Sequence, residues 1–145
     1  MPNNGMPYQE VTPENIDPLI FPLCKAINGT GMLETRASCQ GHLNPLTLDY
    51  SSPYISFRGN IEFIEKLEGL IYERTELPWY IDAHFGEDRK LWFGLRLNEN
   101  PFLFKTFFKR FIGWKSFEKT KTRDFEKIQN LIEEIRQDFS VNKHN

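Results

Sequence analysis

From Thr12 onward the apolar positions switch between helical and strand spacing. Ile16, Leu19, Ile20, Leu23, Cys24 and Ile27 recur at intervals of three and four, which predicts an amphipathic helix closing at Asn28-Gly29, where glycine suits the left-handed position after the last turn. Asp17 reads as its N-cap with Pro18 at the first helical position, while Pro22 removes one hydrogen bond and should bend or delay the helix. Met32 to Cys39 lacks helical period and predicts a strand running into a glycine turn. His42 to Ser52, with Asn44-Pro45 and Asp49, has turn composition, and Pro53 to Gly59 returns as a second strand.

Asn60 is a good N-cap for a helix carrying Ile61, Ile64, Leu67, Leu70 and Ile71, which Pro78 stops. Trp79–Gly86 and Lys90–Asn98 predict a hairpin across Glu87-Asp88-Arg89. Alternation puts Trp79, Ile81, Ala83, Phe85, Leu91, Phe93, Leu95 and Leu97 on one face, and Tyr80, Asp82, His84, Trp92, Gly94 and Arg96 on the other. Asn100-Pro101 then caps a third helix through Phe104, Phe107, Phe108, Phe111 and Ile112, ending before Gly113. A fourth runs from about Thr122 to Phe139. The order αββαββαα predicts an α+β domain, a four-stranded, mainly antiparallel sheet with helices packed on its apolar face. Residues 12–139 form that single domain, between a flexible N-terminal segment, 1–11, and a polar tail, 140–145.

Composition narrows the class. The chain has 145 residues, the size of one domain, and thirteen Phe, five Tyr and three Trp supply large buried areas to a modest hydrophobic content. No apolar run is long enough to span a bilayer, and the N-terminus lacks a signal-peptide pattern, so a cytoplasmic location and no membrane partner are expected. Two cysteines exclude a disulfide-rich scaffold. The net charge of −2 gives no global attraction to nucleic acid. Between 105 and 123, however, Lys105, Lys109, Arg110, Lys115, Lys119, Lys121 and Arg123 stand against Glu118 alone, a local net of +6 that leaves −8 on the rest of the chain.

Chemistry concentrates in Arg36-Ala37-Ser38-Cys39-Gln40-Gly41-His42. A turn at Gly41 can bring thiol and imidazole into hydrogen-bonding reach, the arrangement by which a base activates sulfur, so Cys39 and His42 are the candidate catalytic pair. The plain alternative is a buried core cysteine with His42 capping the turn. Arg36 can hold an anion, although its strand parity differs from that of Cys39. Cys-x-x-His is also a zinc-ligand spacing, but it supplies two ligands only; His84 and Asp82 complete a set only if the third strand lies beside the first, and no metal is assigned.

Two further surfaces compete. Tyr54, Ser56 and Arg58 share parity on the second strand, and with Tyr80, Asp82, His84, Trp92 and Arg96 they would make an aromatic, cationic platform for a base and a phosphate, unless a helix covers that face. The basic stretch, interleaved with Phe107, Phe108, Phe111, Trp114 and Phe117, reads either as a nucleic-acid or acidic-protein surface or as the solvated side of a helix.

The segments Ala26-Ile27-Asn28, Leu33 to His42 and Pro53-Tyr54-Ile55-Ser56-Phe57 resemble a group of small bacterial proteins sharing a Ser-Cys-x-Gly-His signature, a group without an assigned activity. More distantly, Ser38, Cys39 and Gly41 are similar to the Ser-Ser-Cys-Ser-Gly-Arg strand end of the wybutosine-synthesis methyltransferase family, which uses S-adenosylmethionine on modified guanosine in tRNA. His42 stands where that family has arginine and Ala37 where it has the first serine, so the resemblance implies a tRNA-modification-like fold with a strand-end pocket rather than methyl transfer. The expectation is therefore a small anionic or nucleotide-like ligand held by Arg36, Ser38, Gln40, Gly41, Arg58, His84 and Arg96 beside Cys39 and His42, with no cofactor specified and catalysis neither required nor excluded. The alternative is a non-enzymatic adaptor that binds nucleic acid or an acidic protein through Lys105, Lys109, Arg110 and Lys115.

Overall fold

The computed structural model describes residues 10–44, 46–47, 50–97 and 107–143, with the side chains of 107–112 and 142–143 outside that description. Helix α1 (Phe21–Gly29) leads into β1 (Leu33–Cys39), a short ladder of β2 (His42–Leu43) with β3 (Tyr50–Ser51), then β4 (Tyr54–Gly59), α2 (Ile61–Arg74), β5 (Trp79–Phe85), β6 (Leu91–Leu97) and α3 (Phe107–Lys143). The four long strands form an antiparallel sheet in the order β1-β4-β6-β5, which is the α+β class expected from the hydrophobic pattern.

The predicted faces of the hairpin are realised in register: Tyr80 opposes Arg96, Asp82 opposes Gly94 and His84 opposes Trp92. The other face, with Ile55, Phe57, Trp79, Leu95 and Leu97, forms one core with Leu23, Cys24 and Ile27 of α1, Phe63, Ile64 and Leu67 of α2, and Phe117, Phe125, Ile128 and Ile132 of α3. Asn60 caps α2 as expected, accepting from the Phe63 amide at 2.9 Å.

Four expectations are corrected. α1 begins at Phe21 rather than behind Asp17, because Pro22 belongs in a first turn, where its missing donor costs nothing. The predicted third and fourth helices are one helix of 37 residues running through Gly113, whose penalty of about 1 kcal/mol is small against the apolar stripe of Phe117, Phe125, Ile128 and Ile132 packed beyond it. That helix also continues past Phe139 to Lys143, into the segment expected to be a tail. The expected cap at Asn100-Pro101 and the position Phe104 lie outside the described residues. The loop after Cys39 contains the β2–β3 ladder, too short for any periodic signal.

One irregularity positions the chemistry. The β1–β4 register slips between Thr35 and Ala37, a bulge that leaves Arg36 without an opposing residue and then pairs Ala37 with Ser56, Ser38 with Ile55 and Cys39 with Tyr54. The extra residue cancels one alternation, so Arg36 and Cys39 come to share the sheet face of Tyr54 and Trp92 rather than opposing faces as strict parity predicts.

Candidate functional site

At the end of β1 the chain turns back through Gln40 and Gly41. Gly41 adopts φ +87°, and a β-carbon there would lie 2.3 Å from the Tyr50 hydroxyl and 2.9 Å from the Ser51 carbonyl, so only glycine passes. Asp17 faces this turn. Released from a capping role by the later start of α1, its Oδ2 accepts from the Gln40 amide at 3.1 Å and lies 2.8 Å from His42 Nε2. A carboxylate oxygen only accepts, which places a proton on that ring nitrogen. The Gln40 side chain in turn accepts from the Leu19 amide at 2.8 Å, and the Gly41 amide donates to Cys39 Sγ at 3.4 Å. Ligand atoms of Asp17, Cys39 and His42 all lie within 4.8 Å of one another. Asp17 and Cys39 are half-buried and His42 is exposed, so the group opens to solvent.

Beneath the turn lies Lys121, with 0% of its side chain exposed. Its amine donates to the Gln40 carbonyl at 2.6 Å, to Glu118 Oε1 at 2.6 Å and to the Tyr50 hydroxyl at 3.3 Å. Burial holds this amine below the usual lysine range; the bond and charge of Glu118 oppose that shift, and the fields of Cys39 and Asp17 act in the same direction as Glu118. Burial, reinforced by the charge of Glu118, raises the Tyr50 hydroxyl far above the ordinary tyrosine value.

The remaining predicted residues part company. Ser38 faces inward, hydrogen-bonded to Cys24, and does not line the turn. Arg36 lies over the Trp92 ring at 5.0 Å to its centroid, and Arg58 does the same at 5.0 Å. Arg96 lies over Tyr54 at 5.7 Å, its Nε donating to Asp82 Oδ2 at 3.2 Å. Gly86 and Gly94 leave room for this: a β-carbon on Gly86 would meet Trp92 at 2.6 Å and Arg36 Nη1 at 2.9 Å, and one on Gly94 would meet Asp82 at 2.6 Å and Arg96 Nε at 2.9 Å. Three guanidinium groups are thus laid against one sheet face, on aromatic rings, and the Cys39–Tyr54–Arg96–Tyr80 row joins them to the strand end. Among the described residues the helices that build the core pack on the opposite face, and Trp92, only 1% exposed, has Arg36 and Arg58 over its ring.

His84 does not join Cys39. β5 is the far edge of the sheet, three strand spacings from β1 or roughly 14 Å, so neither His84 nor Asp82 completes a set with the strand end; His84 Nδ1 instead lies 3.6 Å from Asp82 Oδ1. A groove of about 550 Å³ between the end of α1 and the start of β1, lined by Asn28, Met32, Glu34, Arg58 and Leu91 among others, includes no residue of the Cys39 turn.

The basic stretch is less cationic at its surface than its count implies. Lys121 is buried and Arg123 donates to Glu76 at 3.0 Å. Lys115 is exposed, while Lys105 and the side chains of Lys109 and Arg110 lie outside the described residues.

Asp17, Lys121 and Tyr50 were missed as site residues. Lys121 was discoverable, since it recurs four residues from both Phe117 and Phe125 on the buried stripe of α3, where an isolated cation needs a reason. Asp17 carries no comparable signal, because it meets Cys39 only through the fold.

No protein-family model matches the chain, and no curated protein matches it. Among solved structures, the PH1069 protein from Pyrococcus horikoshii is similar over 88% of this chain and 85% of that one, with 15% sequence identity and a TM-score of 0.46. No helix among the described residues is long and apolar enough to cross a membrane.

Proposed function

We propose that this domain binds a small anionic, nucleotide-like ligand on the sheet face opposite the core helices, next to the Cys39–His42 turn. The observation that carries the reading is the set of three arginines, Arg36, Arg58 and Arg96, lying on Trp92 and Tyr54 in one neighbourhood. Guanidinium groups already held over aromatic rings lose less entropy on meeting a phosphate, and their planar forks suit its oxygens. The row from Arg96 through Tyr54 to Cys39 supports a ligand whose anionic end meets the arginines and whose ring end lies toward Cys39. The resemblance of Ser38, Cys39 and Gly41 to the wybutosine-synthesis family is compatible with a nucleotide at this end, although Ser38 itself serves the core.

The test is calorimetric titration with AMP, GMP, CMP and UMP, with inorganic phosphate as the anion control. At least one mononucleotide is expected to bind more tightly than phosphate, and Arg96→Ala and Tyr54→Ala should each weaken it about tenfold, equivalent to about 1.4 kcal/mol. Absence of heat for all four at millimolar concentration, or equal binding by the Arg96 and Tyr54 variants, overturns the reading. The alternative, an adaptor acting through Lys105, Lys109, Arg110 and Lys115, predicts salt-sensitive retention of RNA or DNA that charge reversal at Lys115 weakens. Its surface is the poorer supported of the two, because Lys121 and Arg123 are already engaged within the chain.

A further inference from the structure

We infer that Asp17, Cys39 and His42 form a binding site for a divalent transition metal, with zinc as the best-suited ion. The sequence offers Cys39 and His42 at a known ligand spacing, and the fold supplies the third ligand from 22 residues upstream. A thiolate, an imidazole nitrogen and a carboxylate oxygen are the donor types zinc takes, whereas calcium and magnesium require shells of oxygen. Tetrahedral zinc with ordinary bond lengths separates such donors by roughly 3.3–3.6 Å. The three donor atoms lie within 4.8 Å of one another, so no separation has to change by more than about 1.5 Å; the ion would replace the 2.8 Å Asp17–His42 hydrogen bond, the Nε2 proton passing to Nδ1 or to solvent and the thiol proton to solvent. The side chains of His42 and Asp17 are 55% and 32% exposed, and both have room to make those adjustments.

The surroundings suit an ion as well as the three donors do. The Gly41 amide points at the Cys39 sulfur and the Gln40 amide at Asp17 Oδ2, the kind of outer hydrogen bonds that orient metal ligands and moderate their charge. Thiolate and carboxylate together neutralise a divalent cation, and the buried Lys121 amine, held by Glu118, leaves no uncompensated charge below the turn. Three protein ligands leave the fourth position of a tetrahedral ion facing solvent, the pattern of sites where zinc carries water or a ligand atom. This inference does not rest on the nucleotide reading: Arg96→Ala is expected to weaken the mononucleotide about tenfold and to keep the metal.

The experiment loads the full chain with Zn²⁺, removes excess by gel filtration and measures zinc by elemental analysis, then repeats the loading with Co²⁺ for absorption spectroscopy. One metal per chain is expected, with a thiolate-to-cobalt charge-transfer band in the near ultraviolet and visible bands of tetrahedral intensity. Cys39→Ser should remove the charge-transfer band, and Asp17→Asn and His42→Ala should each weaken zinc by about 100-fold or more. Cys24→Ala and His84→Ala should change neither stoichiometry nor spectrum, and melting curves with and without zinc show which variants remain folded. Less than about 0.1 zinc per chain after loading of the unaltered protein overturns the inference. So does a charge-transfer band that survives Cys39→Ser, or zinc affinity unchanged in folded Asp17→Asn.

Discussion

Lys121 allows the energetics of the strand-end turn to be tested directly. The ammonium is fully buried, donates to Glu118, to the Gln40 carbonyl and to the Tyr50 hydroxyl, and is in electrostatic contact with Cys39 and Asp17. Lys121→Met keeps most of the stem volume but strands a carboxylate and a carbonyl. Removing one partner of a buried pair costs about 3–5 kcal/mol, and Glu118, whose side chain is 25% exposed, recovers some hydration, so about 3 kcal/mol is expected. Glu118→Leu should cost less, about 2 kcal/mol, because Lys121 retains Gln40 and Tyr50 as acceptors and sheds its proton more readily than an ordinary lysine. In the double variant both charges are gone and only the Gln40 carbonyl and Tyr50 hydroxyl lose a partner, which puts the total near 2 kcal/mol and the coupling near 3 kcal/mol. Urea denaturation followed by tryptophan fluorescence reads all three; the single Lys121→Met variant should melt about 10 °C lower. A coupling below about 0.5 kcal/mol, or a Lys121→Met melting point within about 2 °C of the parent, would refute the description of Lys121 as a charge-paired support of the Gln40–Gly41 turn.

Three other outcomes follow from the same physical reasoning. Gly41→Ala should destabilise the fold by about 2–4 kcal/mol in urea titrations, since a β-carbon meets the Ser51 carbonyl and the backbone is left-handed there; a cost below about 0.5 kcal/mol would show that the turn rearranges freely. Asp124, 0% exposed, accepts from the Glu76 and Leu77 amides and from Trp79 Nε1, and Asp124→Asn turns a donor toward at least one of them; a loss of about 2–4 kcal/mol is expected from the same titration. Burial pushes the Cys24 thiol from 9.0 up to about 11, against the opposing hydrogen bond from Ser38. A raised folded value means stability is intact below pH 9 and falls as the unfolded chain ionises first, by about 2.7 kcal/mol between pH 9 and 11. Tyr50 acts in the same direction and Lys121 in the opposite one, so the Cys24 share is read as the difference between parent and Cys24→Ala across that window. Parallel pH profiles for the two proteins would contradict it.

Much of the architecture was legible because periodicity reports which face of an element is dry. Trp79 to Leu97 gave the correct register because every second residue of a two-stranded, half-buried ribbon has one environment. Gly113 misled because glycine is a stop signal only where the helix has no further apolar face to bury; here Phe117, Phe125 and Ile128 continue the stripe beyond it. The bulge at Arg36 left no mark in the composition, yet it decides which face Cys39 shares, so parity counted along β1 separated two residues that the fold unites. Asp17 could be found only in three dimensions. Its reading as an N-cap was a reasonable use of an Asp-Pro pair, and the second proline four residues on displaced the helix and freed the carboxylate.

The basic stretch shows where counting charges fails and phasing them succeeds. Seven cations within nineteen residues suggest a surface for polyanions if each is assigned to solvent. A helix, however, sorts residues by angle rather than by sum, and Phe117, Lys121, Phe125, Ile128 and Ile132 fall on one stripe. A lysine at that angle must enter the core, where an unpaired ammonium is too costly to keep, so a partner and acceptors have to be close. Glu118 one turn earlier is the partner, and the acceptors belong to the Gln40–Gly41 turn and to Tyr50. The cation that most weakened the case for a nucleic-acid surface is therefore the one that ties α3 to the Cys39 turn, and its position on the stripe marks it in the sequence as a buried cation in need of acceptors.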